Sequence, residues 1–207
     1  MSRGLLLSGL ILLGAGCAST RSEVHSGPVY ALGHESGEPL MMRGSAITGP
    51  SSALTLSDNT LKGRYRDVPV DLKWTAQELT GSVATRGARL ELAGGEDTRI
   101  QGTFGGTRVD LTVDKASLKG RVADCSYELM RQGDWYLGRS SCSGALAPDL
   151  RLAFPEPLLE RPLGERAALV TLMLLGVNAS PTYSPIVEPS RRTRPRSIAP
   201  NGRPDIQ

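Results

Sequence analysis

Apolar and polar residues alternate one for one through the middle of this chain. Val70-Asp-Leu72-Lys-Trp74 sets three apolar side chains on one face and two charged ones on the other, and Val109-Asp-Leu111-Thr-Val113 repeats the pattern 39 residues later. A period of two marks a half-buried β-strand, because successive side chains leave opposite faces of the pleat. Each of these segments leads into a second one with a glycine at a fixed place: Leu79-Thr-Gly81-Ser-Val83 after the first, Leu118-Lys-Gly120-Arg-Val122 after the second. The same template returns around Leu54 and Gly63, Leu90 and Gly102, and Leu129 and Gly138. The five copies step by 18 residues, except for three extra residues in the loop that holds Gly94 and Gly95. Repetition at a fixed period constrains architecture more firmly than local propensity does.

Eighteen residues hold two short strands and two turns, so each copy reads as a β-hairpin. Asp58-Asn59 and Gly133-Asp134 have the residue types of a two-residue hairpin turn. Ala76-Gln77 and Lys115-Ala116 are weaker turn formers and imply longer loops. Centring the hairpins on these turns places Leu54 opposite Gly63, Leu72 opposite Gly81, Leu90 opposite Gly102, Leu111 opposite Gly120 and Leu129 opposite Gly138. A glycine inside a strand marks a bend or a close approach. Here it is expected to leave room for the facing leucine and to let the sheet curve inward. The same register sets Cys125 opposite Cys142, where a disulfide fits.

The expected fold is mainly β: an antiparallel up-and-down meander of about ten strands, built from five 18-residue hairpin repeats, with Asp149–Leu152 as an eleventh strand. So many strands with one apolar face must cover that face, which favours a closed barrel, with a curved open sheet as the alternative. After the sheet, Pro162 to Gly176 carries a helix start signal in Pro162 and Glu165 and a stop in Gly176. This segment is apolar nearly all round. The reading is one short C-terminal helix, buried at a barrel end or against an open face, although Val170-Thr171 also suits a last strand.

The ends of the chain are different in kind. Arg3, a largely apolar run from Leu5 to Leu13, and Gly14-Ala15-Gly16 before Cys17 have the three parts of a secretory signal. The run is too short to cross a bilayer, which takes roughly 20 residues. This opening resembles the lipobox of bacterial lipoproteins, with Gly14 where that family prefers Leu. The resemblance implies cleavage after residue 16 and acylation of Cys17. Ala18 implies an outer-membrane destination, with the membrane as partner through the lipid anchor and palmitate among the acyl chains. Once Cys17 is assigned to lipid, the three cysteines leave Cys125 and Cys142 as one pair, and the compartment permits their oxidation. From residue 178 to 207 come six prolines, five arginines and few apolar residues, a composition expected of a disordered tail. The division is thus 1–16 signal peptide, 17–51 lipidated N-terminus and linker, 52–177 β-domain with its helix, and 178–207 tail.

Charge follows this division. The chain carries +3, of which the signal holds +1 and the tail +3, leaving the body near −1. The basic excess lies in the appendages, so no nucleic-acid partner is expected.

Chemistry-bearing sets are sparse. His25 and His34 both precede the repeat, so neither a Ser–His–Asp nor a Cys–His set falls on the scaffold. No metal-ligand spacing, Walker loop or dinucleotide motif is present, and neither catalytic residues nor cofactors are expected. Asp71, Asp110 and Glu128 share one repeat position on the polar face, where a solvated surface is the plainer reading than a binding stripe. Tyr65, Trp74, Phe104, Tyr127 and Tyr136 fall on the inward face. Core packing is their first reading, and a ligand-facing interior at Trp74, Phe104, Tyr127 and Tyr136 the second. The function expected is a lipid-anchored envelope protein that acts as a non-enzymatic scaffold or binding component for other envelope proteins or polymers. The alternative is a lipocalin-like carrier of a small apolar ligand.

Overall fold

A computed structural model describes residues 27–178, positions 36 and 96 excepted. The signal segment, Cys17, His25 and the tail beyond residue 178 lie outside the described residues.

Among the described residues there are fourteen strands, and each pairs antiparallel with its neighbours in sequence. The first three are β1 (Val29–His34), β2 (Leu40–Arg43) and β3 (Ala46–Gly49). The five repeats supply β4 (Ser52–Ser57) and β5 (Thr60–Tyr65), β6 (Val68–Trp74) and β7 (Glu78–Val83), β8 (Arg86–Ala93) and β9 (Thr98–Phe104). They continue as β10 (Thr107–Val113) and β11 (Ser117–Val122), then β12 (Cys125–Gln132) and β13 (Trp135–Cys142). The last strand, β14 (Ala145–Ala153), returns to pair with β1, so the meander closes into a barrel. The joint is short: Gly33 lies opposite Ala153 and His34 opposite Leu152, with Glu35 N–H donating to the Arg151 carbonyl.

The barrel and the expected register are both present, but the count of about ten strands is too low. Three of the strands arise between Val29 and Gly49, inside the 17–51 stretch read as linker, and His34 ends one of them. Two of these three have only four residues, and their apolar inward positions (Leu40, Met42, Ile47) are separated by Gly44-Ser45. Alternation that brief is lost among Gly, Ser and Glu. The strand foreseen at Asp149–Leu152 belongs to the longer β14.

All five leucine–glycine pairs stand directly opposite one another. The reason differs from the expectation that glycine makes room for a leucine side chain. A Cβ at Gly120 would lie 2.1 Å from the Asp110 carbonyl oxygen and 2.8 Å from the Leu111 Cα, so it is the neighbouring backbone that fills the space. Gly120 also has φ +129°, a conformation that a side chain resists. The other four glycines make the same approach to Ala53, Asp71, Arg89 and Glu128. A sheet that coils sharply at equivalent points can close on itself.

Inward positions bury Leu61, Leu72, Leu79, Leu90, Ile100, Leu111, Leu118 and Leu129. The helix α1 (Leu163–Asn178) runs through the space they enclose and meets β1, β5, β6, β7, β8, β9 and β11. It is apolar on every side because barrel wall surrounds it: Ala167, Ala168, Val170, Thr171 and Leu174 are fully buried. Leu163 enters near Gly94 and Trp74, while Gly176 reaches Tyr65 and Arg66 at the opposite end, where Arg66 Nη1 donates to the Gly176 carbonyl (2.6 Å). A cation beside the last carbonyls satisfies groups that a helix end leaves open. The expected disulfide joins Cys125 and Cys142 directly across β12 and β13, beside the strand that makes the thin joint.

Two stability changes follow. Gly120→Ala is expected to cost at least ~2 kcal/mol through its φ and the Asp110 carbonyl contact, read as a lower urea midpoint with an unchanged slope. Thr171 Oγ1 is buried in the apolar core without a hydrogen-bond partner. Replacing it with the isosteric Val is expected to raise stability by about 1 kcal/mol in the same titration.

Candidate binding site at the barrel mouth

On the polar face, the three acids at the shared repeat position are each engaged by a partner on a neighbouring strand. Asp71 pairs with Lys62 (3.2 Å), Asp110 with Arg99 (3.6 Å) and with the Gln101 amide (3.0 Å), and Glu128 with Arg139 Nε (2.9 Å). Each acid is matched by a basic or amide group across a neighbouring strand, and the basic partners are well exposed to solvent. The Arg139 guanidinium is the main cause holding the Glu128 carboxyl below its ordinary value. Among the described residues, no three His, Cys, Asp or Glu side chains gather as metal ligands.

The four inward aromatics are all buried, but they do not share a chamber. Phe104 and Tyr127 lie toward the end where α1 leaves the barrel, and Trp74 and Tyr136 toward the end where it enters. Tyr136 is held as core: its hydroxyl donates to the Asp114 carbonyl (2.7 Å), its ring centroid is 6.3 Å from that of Phe154, and Arg131 stacks over its face. Arg131 Nη1 in turn donates to the Phe154 carbonyl, so ring and guanidinium lock one another.

Trp74 is different. It ends β6 at the mouth where α1 begins, and its ring lies against the backbone of Gly164, where a Cβ would come 2.2 Å from the ring. Trp74 and Glu165 both line an open cavity of about 270 Å³ at this mouth. The turns Gly44-Ser45 and Ser57–Asn59 form one side of it, and Arg161 and Pro162 the other. Trp74 is 7% exposed and Glu165 6%, yet Trp74 Nε1 and Glu165 Oε1 have no hydrogen-bond partner in the protein. Both residues line the cavity, while the unanswered donor and acceptor atoms themselves are closed off from solvent. Arg161 Nη1 stands 3.7 Å from Glu165 Oε1, close enough for an ion pair but beyond hydrogen-bond length.

Burial pushes the Glu165 carboxyl above the ordinary carboxylate range, and the Arg161 charge offsets this in part. Sequence reasoning used Glu165 only to mark a helix start. The available signal was an acid within a segment that must otherwise be buried, but no linear pattern brings it to Trp74, 91 positions away.

Glu165 binds its proton more tightly in the folded state than in the unfolded chain. Its contribution to stability is therefore full at acid pH and is lost as the pH rises through the raised folded value. Glu165→Gln is expected to raise the melting temperature at neutral pH. The advantage should shrink as the pH falls toward the unfolded carboxyl value of 4.5, checked by melting curves across that range. An advantage independent of pH would contradict the assignment.

The chain matches no family model, and comparison with curated proteins and with solved structures returns no match.

Proposed function

We propose that this protein is a lipid-anchored component of the bacterial cell envelope that works as a non-enzymatic binding or scaffolding domain. The observation that carries the reading is the filled interior. A carrier of apolar molecules needs an apolar hollow, whereas here α1 and the inward leucines occupy the space inside the wall. What the barrel offers a partner is its outside and its two mouths.

The wall supports tethering over insertion. Outward positions hold Lys62, Arg64, Asp71, Arg89, Glu91, Arg121, Glu128 and Arg139, and inward positions are apolar. A wall that meets lipid has the reverse arrangement, an outer apolar band around a polar lumen. Attachment then falls to the acyl chains expected on Cys17, which hold a domain at a membrane without any spanning segment. The Cys125–Cys142 disulfide suits an oxidising compartment. Outer-membrane placement rests on Ala18 following the acylated cysteine.

Native mass spectrometry of residues 18–207 purified from periplasm tests the reading, together with amine cross-linking in intact envelopes. The expected result is a mass without adduct from the soluble form and discrete cross-linked species in the envelope. A lipid-sized adduct that disappears on denaturation would instead make the protein a carrier.

A further inference from the structure

The repeat itself shows what the outer wall requires. Three positions before the repeat leucine stand Ser51, Pro69, Gly87 and Ser126 in four copies, and Arg108 in the fourth along the chain. The residue after the repeat glycine varies from Ser82 and Thr103 to arginine, and in this fourth copy it is Arg121. No other copy has arginine at both places, so folding of the wall does not call for the pair. Arg121 lies directly opposite Asp110, and Arg108 is two positions from Asp110 on the same outward face of β10. The two arginines are therefore diagonal neighbours on adjacent strands, within reach of each other's long side chains.

In the fifth copy the same geometry is closed, because Arg139 donates to Glu128 directly opposite on β12. In the fourth it stays open. Asp110 Oδ1 accepts from the Gln101 amide (3.0 Å) and stands 3.6 Å from Arg99, and both of these partners lie on β9, away from β11. Among the described residues no ion pair joins Arg108 or Arg121 to an acid. Both are exposed, and together with Asp110 and Ala123 they line a cavity of about 250 Å³ on the outer wall. Arg86 brings a third cation to this region, its side chain lying over Gly106, two positions before Arg108. The acids beside the cavity are Asp110, already engaged, and Asp124, which follows Ala123 in the turn.

Two guanidinium groups lining one cavity select an oxyanion. Each presents a planar fork of N–H donors and no acceptor, so neither can satisfy the other. A carboxylate has two oxygens and fills one fork. A phosphate group has oxygens for both forks and carries up to two negative charges. The cavity is smaller than a drug-sized pocket, which suits a phosphate group and little of the molecule that bears it. We propose that Arg108 and Arg121 form a phosphate-binding site on the outer wall of β10 and β11. The phosphate belongs either to a lipid headgroup or to a small soluble ester. The site gives a ligand class to the reading of the protein as a binding component, and it rests on the wall geometry rather than on the acyl anchor.

Phosphorus NMR titration tests it on the full-length lipoprotein in an uncharged, phosphate-free detergent. The probes are inorganic phosphate, glycerol 3-phosphate and dihexanoyl-phosphatidylglycerol, with dihexanoyl-phosphatidylcholine as the control for entry into the micelle. Saturable binding at millimolar concentration is expected from at least one probe. Phosphatidylglycerol binding more tightly than glycerol 3-phosphate marks a headgroup, and the opposite order marks a soluble ester. Arg108→Ser and Arg121→Ser install a residue that other copies carry at these places, so the wall is kept. Each is expected to weaken binding about tenfold through loss of charge-assisted hydrogen bonds. Arg139→Ser, and Arg191→Gln combined with the same change at the other four tail arginines, are expected to leave the affinity as it was. Absence of saturable binding from every probe overturns the site. Equal affinity in the parent and both wall variants overturns it too, as does a loss that follows the tail arginines alone. Envelope cross-links without a phosphate response remove this site and leave the scaffold reading standing. A lipid-sized adduct alongside a phosphate response that Arg108→Ser weakens does the reverse.

Discussion

The whole structure depends on filling a barrel too wide for its own side chains. Fourteen strands enclose more space than inward-pointing leucines reach across, and an apolar interior left open would forfeit packing along its entire lining. The helix α1 meets that need. It carries alanine at 167 and 168, where bulkier residues would force the wall outward, and glycine at 164 and 176, where Trp74 and Tyr65 press against its backbone. Wall and helix therefore specify each other. The strands have no buried face without the helix, and a 16-residue helix apolar on all sides has no stable place outside the barrel.

Closure also has to be obtained from strands of four to nine residues. The stripe of glycines at 63, 81, 102, 120 and 138 provides it, because at each one the facing strand's carbonyl occupies the place a Cβ would take. The bend is thus written into the repeat itself, once per hairpin. Where the repeat ends, so does the firmness of the wall: β1 meets β14 over two residue pairs. The disulfide lies one strand away from that joint, on the last hairpin able to hold β14 in place.

The repeat, the register and the cysteine pair were legible in the sequence because all three follow from a period of two and a step of 18 residues. β1 to β3 were not, since a four-residue strand offers only two inward positions and Leu40 with Met42 does not stand out from chance. The helix was legible as buried but not as central. Being apolar all round says that protein surrounds a segment and says nothing of which elements do so. The mouth site was hidden for a related reason. Trp74 belongs to a strand pattern and Glu165 to a helix-start pattern, and each is fully explained locally until the fold puts both at one opening.

That opening has a defined place relative to the rest of the chain. Val29 begins β1 opposite Arg43, next to the Gly44-Ser45 turn that lines the mouth, so the polypeptide leading from Cys17 joins the barrel at this end. The helix leaves at the other end beside Arg66, and the residues beyond 178 start there. The two ends also differ chemically: Trp74 and Glu165 line a cavity at one, and at the other Arg66 donates to the Gly176 carbonyl in the last turn of the helix. A domain with a packed centre has only such ends and its charged wall with which to distinguish one neighbour from another, and of the two ends the mouth at Trp74 is the one where strand turns and the start of the helix together line an open cavity.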